Sequence, residues 1–209
     1  MRLLRDLFDK NAEWARRTEA EEPGFFTRLT GEQTPHFFWI GCSDSRVPAE
    51  QITGLMPGDL FVHRNVANLV AHQDLSCQAA LQYAVDVLRI RHVLVVGHHG
   101  CGGVRAAMNK QELSGPAGEW LRPLRELYEQ KREYFESWSD DQARWDKLCE
   151  LNVIAQVGAL SRTPLIERAW DRGQELAVHG WIYALRDGRL QDLNVTITSK
   201  AEAESLSSS

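Results

Sequence analysis

The segment His92-Val93-Leu94-Val95-Val96-Gly97 constrains the fold of this chain more than any other part of it. Its apolar run is continuous rather than alternating, which predicts a strand covered on both faces, as in a parallel sheet. His36-Phe37-Phe38-Trp39-Ile40-Gly41 reads as a second short buried strand. Leu60-Phe61-Val62-His63 reads as a third, after the turn at Met56-Pro57-Gly58-Asp59. Between these strands, residues 74–89 predict a helix, with Leu75, Ala79, Tyr83 and Val87 at spacing four. Strands that alternate with helices predict an α/β fold with a mostly parallel central sheet flanked by helices.

The ends of the chain differ from its middle. Residues 2–18 and 23–30 predict two helices, broken at Glu21-Glu22-Pro23-Gly24. Leu3, Leu4, Leu7 and Phe8 share one side of the first. After Gly115-Pro116, residues 117–160 predict almost continuous helix. A final hairpin fits residues 175–185 and 190–196 about a turn at Asp187-Gly188, which adds an antiparallel strand at the sheet edge. Residues 199–209 read as a polar, flexible tail. The expected organisation is one α/β domain over residues 1–198, with 1–30 as a helical arm.

Composition narrows the function. At 43% hydrophobic and 25% charged residues, the chain has the makings of an ordinary globular core. A formal net charge of -5 argues against a nucleic-acid partner. No apolar run approaches the roughly 18 residues that cross a bilayer, so no membrane partner is expected. Asp6, Asp9 and Glu13 argue against a targeting leader, and a cytoplasmic location is the expectation. Four cysteines in 209 residues are no disulfide framework and read as metal ligands or core.

Two segments carry the chemistry. Cys42-Ser43-Asp44-Ser45-Arg46 follows the first strand, and Gly97-His98-His99-Gly100-Cys101-Gly102-Gly103 follows the most apolar one. In open parallel sheets, ligands collect beyond the carboxyl ends of the strands, so these two segments are placed to meet. Thiolate and imidazole are preferred zinc ligands, and Cys42, His98 and Cys101 supply three. Three protein ligands with a fourth position open is the catalytic pattern. The other reading of the same residues is two core cysteines and a surface histidine.

The CSDSR segment followed by HxxC resembles the β-class carbonic anhydrases. The similarity extends to residues 48–68, 82–88 and 179–183, and so spans most of 1–198. The resemblance implies Zn2+ on Cys42, His98 and Cys101. It implies reversible hydration of carbon dioxide to bicarbonate by zinc-bound hydroxide, oriented by Asp44 paired to Arg46. It also implies closed sites in which Asp44 takes the fourth metal position. Two thiolates make zinc a weaker Lewis acid than imidazoles do, which predicts a higher operative pKa than in an all-histidine site. The positions matching the family's substrate slot are Gln33, Phe61, Val66 and Tyr83, and the Gly102 N–H is placed to hold a bicarbonate oxygen. Trp39, Arg64 and Tyr183 resemble those of a bacterial subset of the family in which bicarbonate binds away from zinc and favours the closed site. Self-association as a dimer or tetramer is implied, with the arm packed on the partner subunit.

Other residues carry weaker signals. Cys77 and Cys149 read as small core residues. His36, His63, His72, His92, His99 and His179 have no ligand-like partner nearby in sequence. Trp120, Trp138, Trp145, Trp170 and Trp181 read as core or interface. A non-catalytic zinc protein with Asp44 as permanent fourth ligand is the competing function. A phosphate-cradling loop is disfavoured because GHHGCGG lacks both the P-loop and GxGxxG patterns.

Overall fold

In the computed structural model, residues 4–109 and 113–206 are described. They fall into two compact units divided between Thr34 and Pro35. The first holds α1 (Arg5–Glu21) and α2 (Phe25–Leu29), separated by Gly24 at φ 83°, a left-handed turn that glycine enters without a Cβ clash. The Trp14 ring meets Phe26 edge-on at 5.4 Å. Leu4, Leu7 and Phe8 are exposed. The predicted first helix began at residue 2, and that residue and Leu3 lie outside the described residues.

The second unit is built on one sheet. Its strands are β1 (Phe37–Cys42), β2 (Leu60–Asn65), β3 (His92–His98), β4 (Ala177–Ala184) and β5 (Arg189–Ile197). They lie in the order β2-β1-β3-β4-β5. All neighbours are parallel except β4 and β5, which form the antiparallel edge pair. The continuous apolar runs of β1 and β3 have the expected consequence: all residues of β3 after His92 are buried, as are all of β1 after Phe37.

Helices cover the sheet. They are α3 (Ala49–Thr53), α4 (Leu75–Gln82), α5 (Gly102–Met108), α6 (Pro116–Trp120), α7 (Arg122–Gln130), α8 (Arg132–Glu136), α9 (Asp141–Ser161), α10 (Pro164–Asp171) and α11 (Lys200–Leu206). The helix predicted over 74–89 is α4 prolonged by a π turn at Tyr83–Val87. The region predicted as nearly unbroken helix is divided into α6 to α9. Asp140 begins α9 by accepting from the Gln142 and Ala143 N–H groups. No sequence signal was read for α3 or α10, although Thr163-Pro164 is a cap followed by an N1 proline, and Thr163 does cap α10.

The polar tail departs from expectation. Residues 200–206 form α11 rather than a flexible strand of chain. Glu202 accepts from the Thr198 N–H and hydroxyl, Lys200 pairs with Asp171 at 2.7 Å, and Ala203 is buried. Buried Ala203 and half-buried Leu206 among the polar residues give this segment a face against the core.

On one side of the sheet, α9 packs across β3 and β4. Close approach depends on two glycines. A Cβ on Gly97 would lie 2.5 Å from Val153 Cγ2, and one on Gly180 would lie 2.4 Å from Val195 Cγ1 and 3.1 Å from Val157 Cγ2. Gly97→Ala is therefore expected to destabilise the fold by about 1–3 kcal/mol through overpacking, read as a lower midpoint in urea unfolding. Among the described residues, no helix is long and apolar enough to cross a membrane.

Candidate active site

β1 and β3 are neighbours with Gly41 opposite Val96, so Cys42 and His98 end adjacent strands. Beyond β3, Gly100 turns the chain at φ 68° and delivers Cys101 to the cap position of α5. Three ligating atoms converge there. The Cys42 and Cys101 sulfurs are 3.8 Å apart, and these two and the histidine nitrogen all lie within 4.8 Å of one another. Two thiolates bound tetrahedrally at about 2.3 Å from a zinc ion sit about 3.8 Å apart, so the sulfurs fit one ion.

His98 is fully buried. Its Nδ1–H donates to the His99 carbonyl at 3.0 Å, which leaves the Nε2 lone pair facing the two sulfurs. That Nε2 has no hydrogen-bond partner. A buried, unpaired nitrogen is costly unless something accepts its lone pair, and a cation does. Contact with Cys101 pulls the Cys42 thiol down, while the same contact and burial push Cys101 up. A divalent ion supplies positive charge that both sulfurs can bind as thiolates.

Asp44 stands beside this cluster. Arg46 grips it through two side-chain bonds, Nε to Oδ1 at 2.9 Å and Nη2 to Oδ2 at 2.7 Å, and the Arg46 N–H adds a third at 2.9 Å. These bonds hold the Asp44 carboxyl well below the usual carboxylate range, against the opposing effect of burial. Its Oδ2 lies 3.7 Å from His98 Nε2. Asp44 and Arg46 thus stand beside the Cys42–His98–Cys101 cluster.

The other predicted residues fall into three groups. Phe61 and Tyr83 stack with centroids 5.8 Å apart, and Phe61 also meets Phe38. Val66 presses toward the start of α5, where a Cβ on Gly103 would meet its Cγ1 at 2.9 Å. The space around Gly102, the first residue of α5, is open. Gln33 belongs to the first unit and is exposed. Trp39 and Tyr183 share one buried cluster on the sheet face opposite α9, and Trp39 Nε1 is buried without a partner. Arg64 donates to the Cys42 and Asp44 carbonyls, so its guanidinium braces the CSDSR loop.

Sequence reasoning missed the residues that support the site from a distance. Trp145 Nε1 donates to the Cys101 carbonyl at 2.8 Å, so this tryptophan is more than core. Asp146 accepts from the Gly100 N–H at 3.0 Å. Ala67 and Asn68 both have positive φ, at 65° and 49°, an unfavourable conformation for residues with a Cβ. Asn152 Nδ2 holds the Ala67 carbonyl at 2.9 Å, Gln156 accepts from the Val70 N–H at 2.8 Å, and the two amides bond to each other. The backbone at Ala67, like that at Asp44, helps to pull the Cys42 thiol down. Asn152 and Gln156 carried a signal: two amides at spacing four inside an apolar helix. Four histidines read as unpartnered also have partners: His99 meets Glu150 at 3.2 Å, His92 meets His179 at 3.1 Å, and His63 meets Asp74 at 3.7 Å.

A family model described as carbonic anhydrase matches residues 37–190. The fold superimposes on the β-carbonic anhydrase of Coccomyxa in complex with acetazolamide, with a TM-score of 0.92 and 38% identity over 98% of this chain and 92% of that one. This chain belongs to the β-class carbonic anhydrases. A carbonic anhydrase from Emericella nidulans is 40% identical over 189 residues, 90% of this chain and 82% of its own. A β-carbonic anhydrase of Sordaria macrospora, described as tetrameric, aligns with a TM-score of 0.89 and 35% identity over 95% of this chain and 100% of that one. The activity that comes with the β class is zinc-dependent, reversible hydration of carbon dioxide, and the Cys42–His98–Cys101 cluster is able to hold the metal.

Proposed function

We propose that Cys42, His98 and Cys101 are the zinc ligands, with Asp44 and Arg46 as the catalytic pair beside them. The observation that carries this reading is the buried His98 Nε2, unpartnered and facing two sulfurs 3.8 Å apart. Zinc bound there supplies Lewis acidity, which lowers the pKa of water toward neutrality. The chain does the rest. Asp44, held ionised by Arg46, is an acceptor beside the metal position and orients the hydrogen of an attacking O–H. The backbone at Asp44 and Ala67 favours the Cys42 thiolate. Phe61, Val66 and Tyr83 offer apolar surface to a small uncharged substrate, and the Gly102 N–H receives an oxygen of bicarbonate.

The bidentate Asp44–Arg46 pair favours this reading over a zinc protein with Asp44 as permanent fourth ligand, because a carboxylate engaged by a guanidinium fork is not free to ligate. Stopped-flow carbon dioxide hydration at about pH 8–9, on protein with measured zinc content, separates the two. Zinc-replete but inactive protein overturns the catalytic reading.

The same reading includes regulation. Bicarbonate held by Trp39, Arg64 and Tyr183 would use the unpartnered indole N–H and compete for Arg64. Arg64 braces the Cys42 and Asp44 carbonyls, so drawing it away loosens the loop that keeps Asp44 on Arg46. Asp44 then closes onto the metal. This requires bicarbonate to bind the closed state more tightly than the open one. Trp39→Phe is expected to relieve inhibition by added bicarbonate while leaving the uninhibited rate near that of the parent. Equal inhibition of both proteins in the hydration assay removes the regulatory role. The proposal extends to self-association as a dimer or tetramer, supported by exposed Val66, Tyr83 and Val87 and by the apolar Leu4, Leu7 and Phe8 of the arm, which would pack on the partner subunit.

A further inference from the structure

We propose that His63, Asp74 and Cys77 form a second cation site, distinct from the catalytic one, that takes a thiophilic divalent ion such as Zn2+ or Cd2+. Among the described residues, two groups of histidine, cysteine and carboxylate bring their ligating atoms within 4.8 Å of one another, and this is the group outside the active site. An imidazole, a carboxylate and a thiolate are a zinc-type donor set.

Each donor is held toward the same point. His63 lies on edge strand β2, on the face that carries Phe61 and Asn65 and looks toward α4. Its Nε2 is 3.7 Å from Asp74 Oδ2. Asp74 caps α4: its Oδ1 accepts from the Ser76 and Cys77 N–H groups at 3.0 and 3.2 Å, which leaves Oδ2 for a cation. Cys77 sits in the first turn of α4, fully buried. The side chains of His63 and Asp74 are 11% and 15% exposed, so the cluster has a path to solvent on one side. That exposure leaves room for water or another ligand in a fourth position. The present separations are those of an unliganded cluster, and binding would draw the three atoms together.

Binding requires the Cys77 thiol to lose its proton to solvent, with the sulfur–cation bond forming in its place. Burial and the Asp74 charge push this thiol up to about 12, so a hard cation of low thiolate affinity is a poor occupant. The site would join β2 to α4. It also lies next to Asn65, whose Nδ2 hydrogen-bonds His63 Nε2 at 3.4 Å, a contact a cation there would displace while Nδ2 keeps its bond to the Leu69 carbonyl, and whose own carbonyl accepts the Ser43 N–H at 2.8 Å. Occupancy would therefore brace the strand that supports the catalytic loop without touching the catalytic metal.

The test uses enzyme carrying one zinc ion per chain, equilibrated with Cd2+ and then freed of loose metal. Total zinc plus cadmium is measured by elemental analysis, and the sulfur-to-cadmium band is followed in the ultraviolet. The expected result is a second equivalent of metal and a new thiolate band, with Tm raised. His63→Ala and Cys77→Ser are each expected to lose that second equivalent while keeping the first and its hydration activity. Should Cys77→Ser fold poorly, His63→Ala decides alone, because His63 sits at the sheet edge. A total that stays at one equivalent, including one where cadmium enters only as zinc leaves, overturns the proposal. So does uptake of the second equivalent by both variants.

Discussion

Cys42→Ser is expected to leave the fold in place and to lose nearly all bound zinc, with carbon dioxide hydration reduced by at least about three orders of magnitude. The reason is local. Cys42 is 5% exposed, and contact with Cys101 favours its thiolate against burial, with help from the backbone at Asp44 and Ala67. A serine hydroxyl in that position does not ionise near neutrality and reaches less far than sulfur. The ion would then keep only His98 and Cys101, below the three ligands a catalytic zinc needs. Metal analysis and stopped-flow hydration on the same sample check both halves. Full zinc occupancy in the variant would falsify the assignment of Cys42.

Asp44→Asn is expected to keep zinc and to lower kcat/KM about 10²-fold. Arg46 holds the Asp44 carboxyl far below the usual carboxylate range, so Asp44 is charged at every pH from about 6 to 9. Its folded-state pKa is depressed, so the stabilisation it gives the loop is present above the unfolded value and is lost only as pH falls through the folded one. The substitution therefore removes a charged acceptor throughout the working range, and the loss should be nearly independent of pH. The amide also presents an N–H₂ group where the carboxylate presented a lone pair, which misdirects the hydrogen of the attacking O–H. Retained activity with retained zinc would mean that Asp44 serves only to pair with Arg46. A loss confined to low pH would point to a different titrating group.

The candidate site was legible in the chain to the extent that its chemistry is local. Cys42 ends one apolar strand with Asp44 and Arg46 in the loop just after it, and His98 ends another with Cys101 three residues on. The supporting residues were not legible in the same way. Trp145, Asp146, Asn152 and Gln156 all come from α9, more than 40 positions after Cys101, and their partners are backbone groups of loops. Nothing in a helical stretch rich in charge and tryptophan says which backbone carbonyl a side chain will reach. The histidines illustrate the same limit: His63 looked isolated in sequence, but strand β2 and the cap of α4 bring it to Asp74 and Cys77.

What the amino-acid sequence determined by itself is therefore the set of donors, the strands that end beside them and the parallel character of the sheet, because periodicity and side-chain chemistry are properties of short segments. Only the tertiary structure decided that two sulfurs from different loops stand 3.8 Å apart, that His98 turns its lone pair toward them, and that Arg64 braces the loop between. Those distances follow from the pairing of β1 with β3 and β2, which brings together residues 55 and 23 positions apart at registers no local pattern encodes.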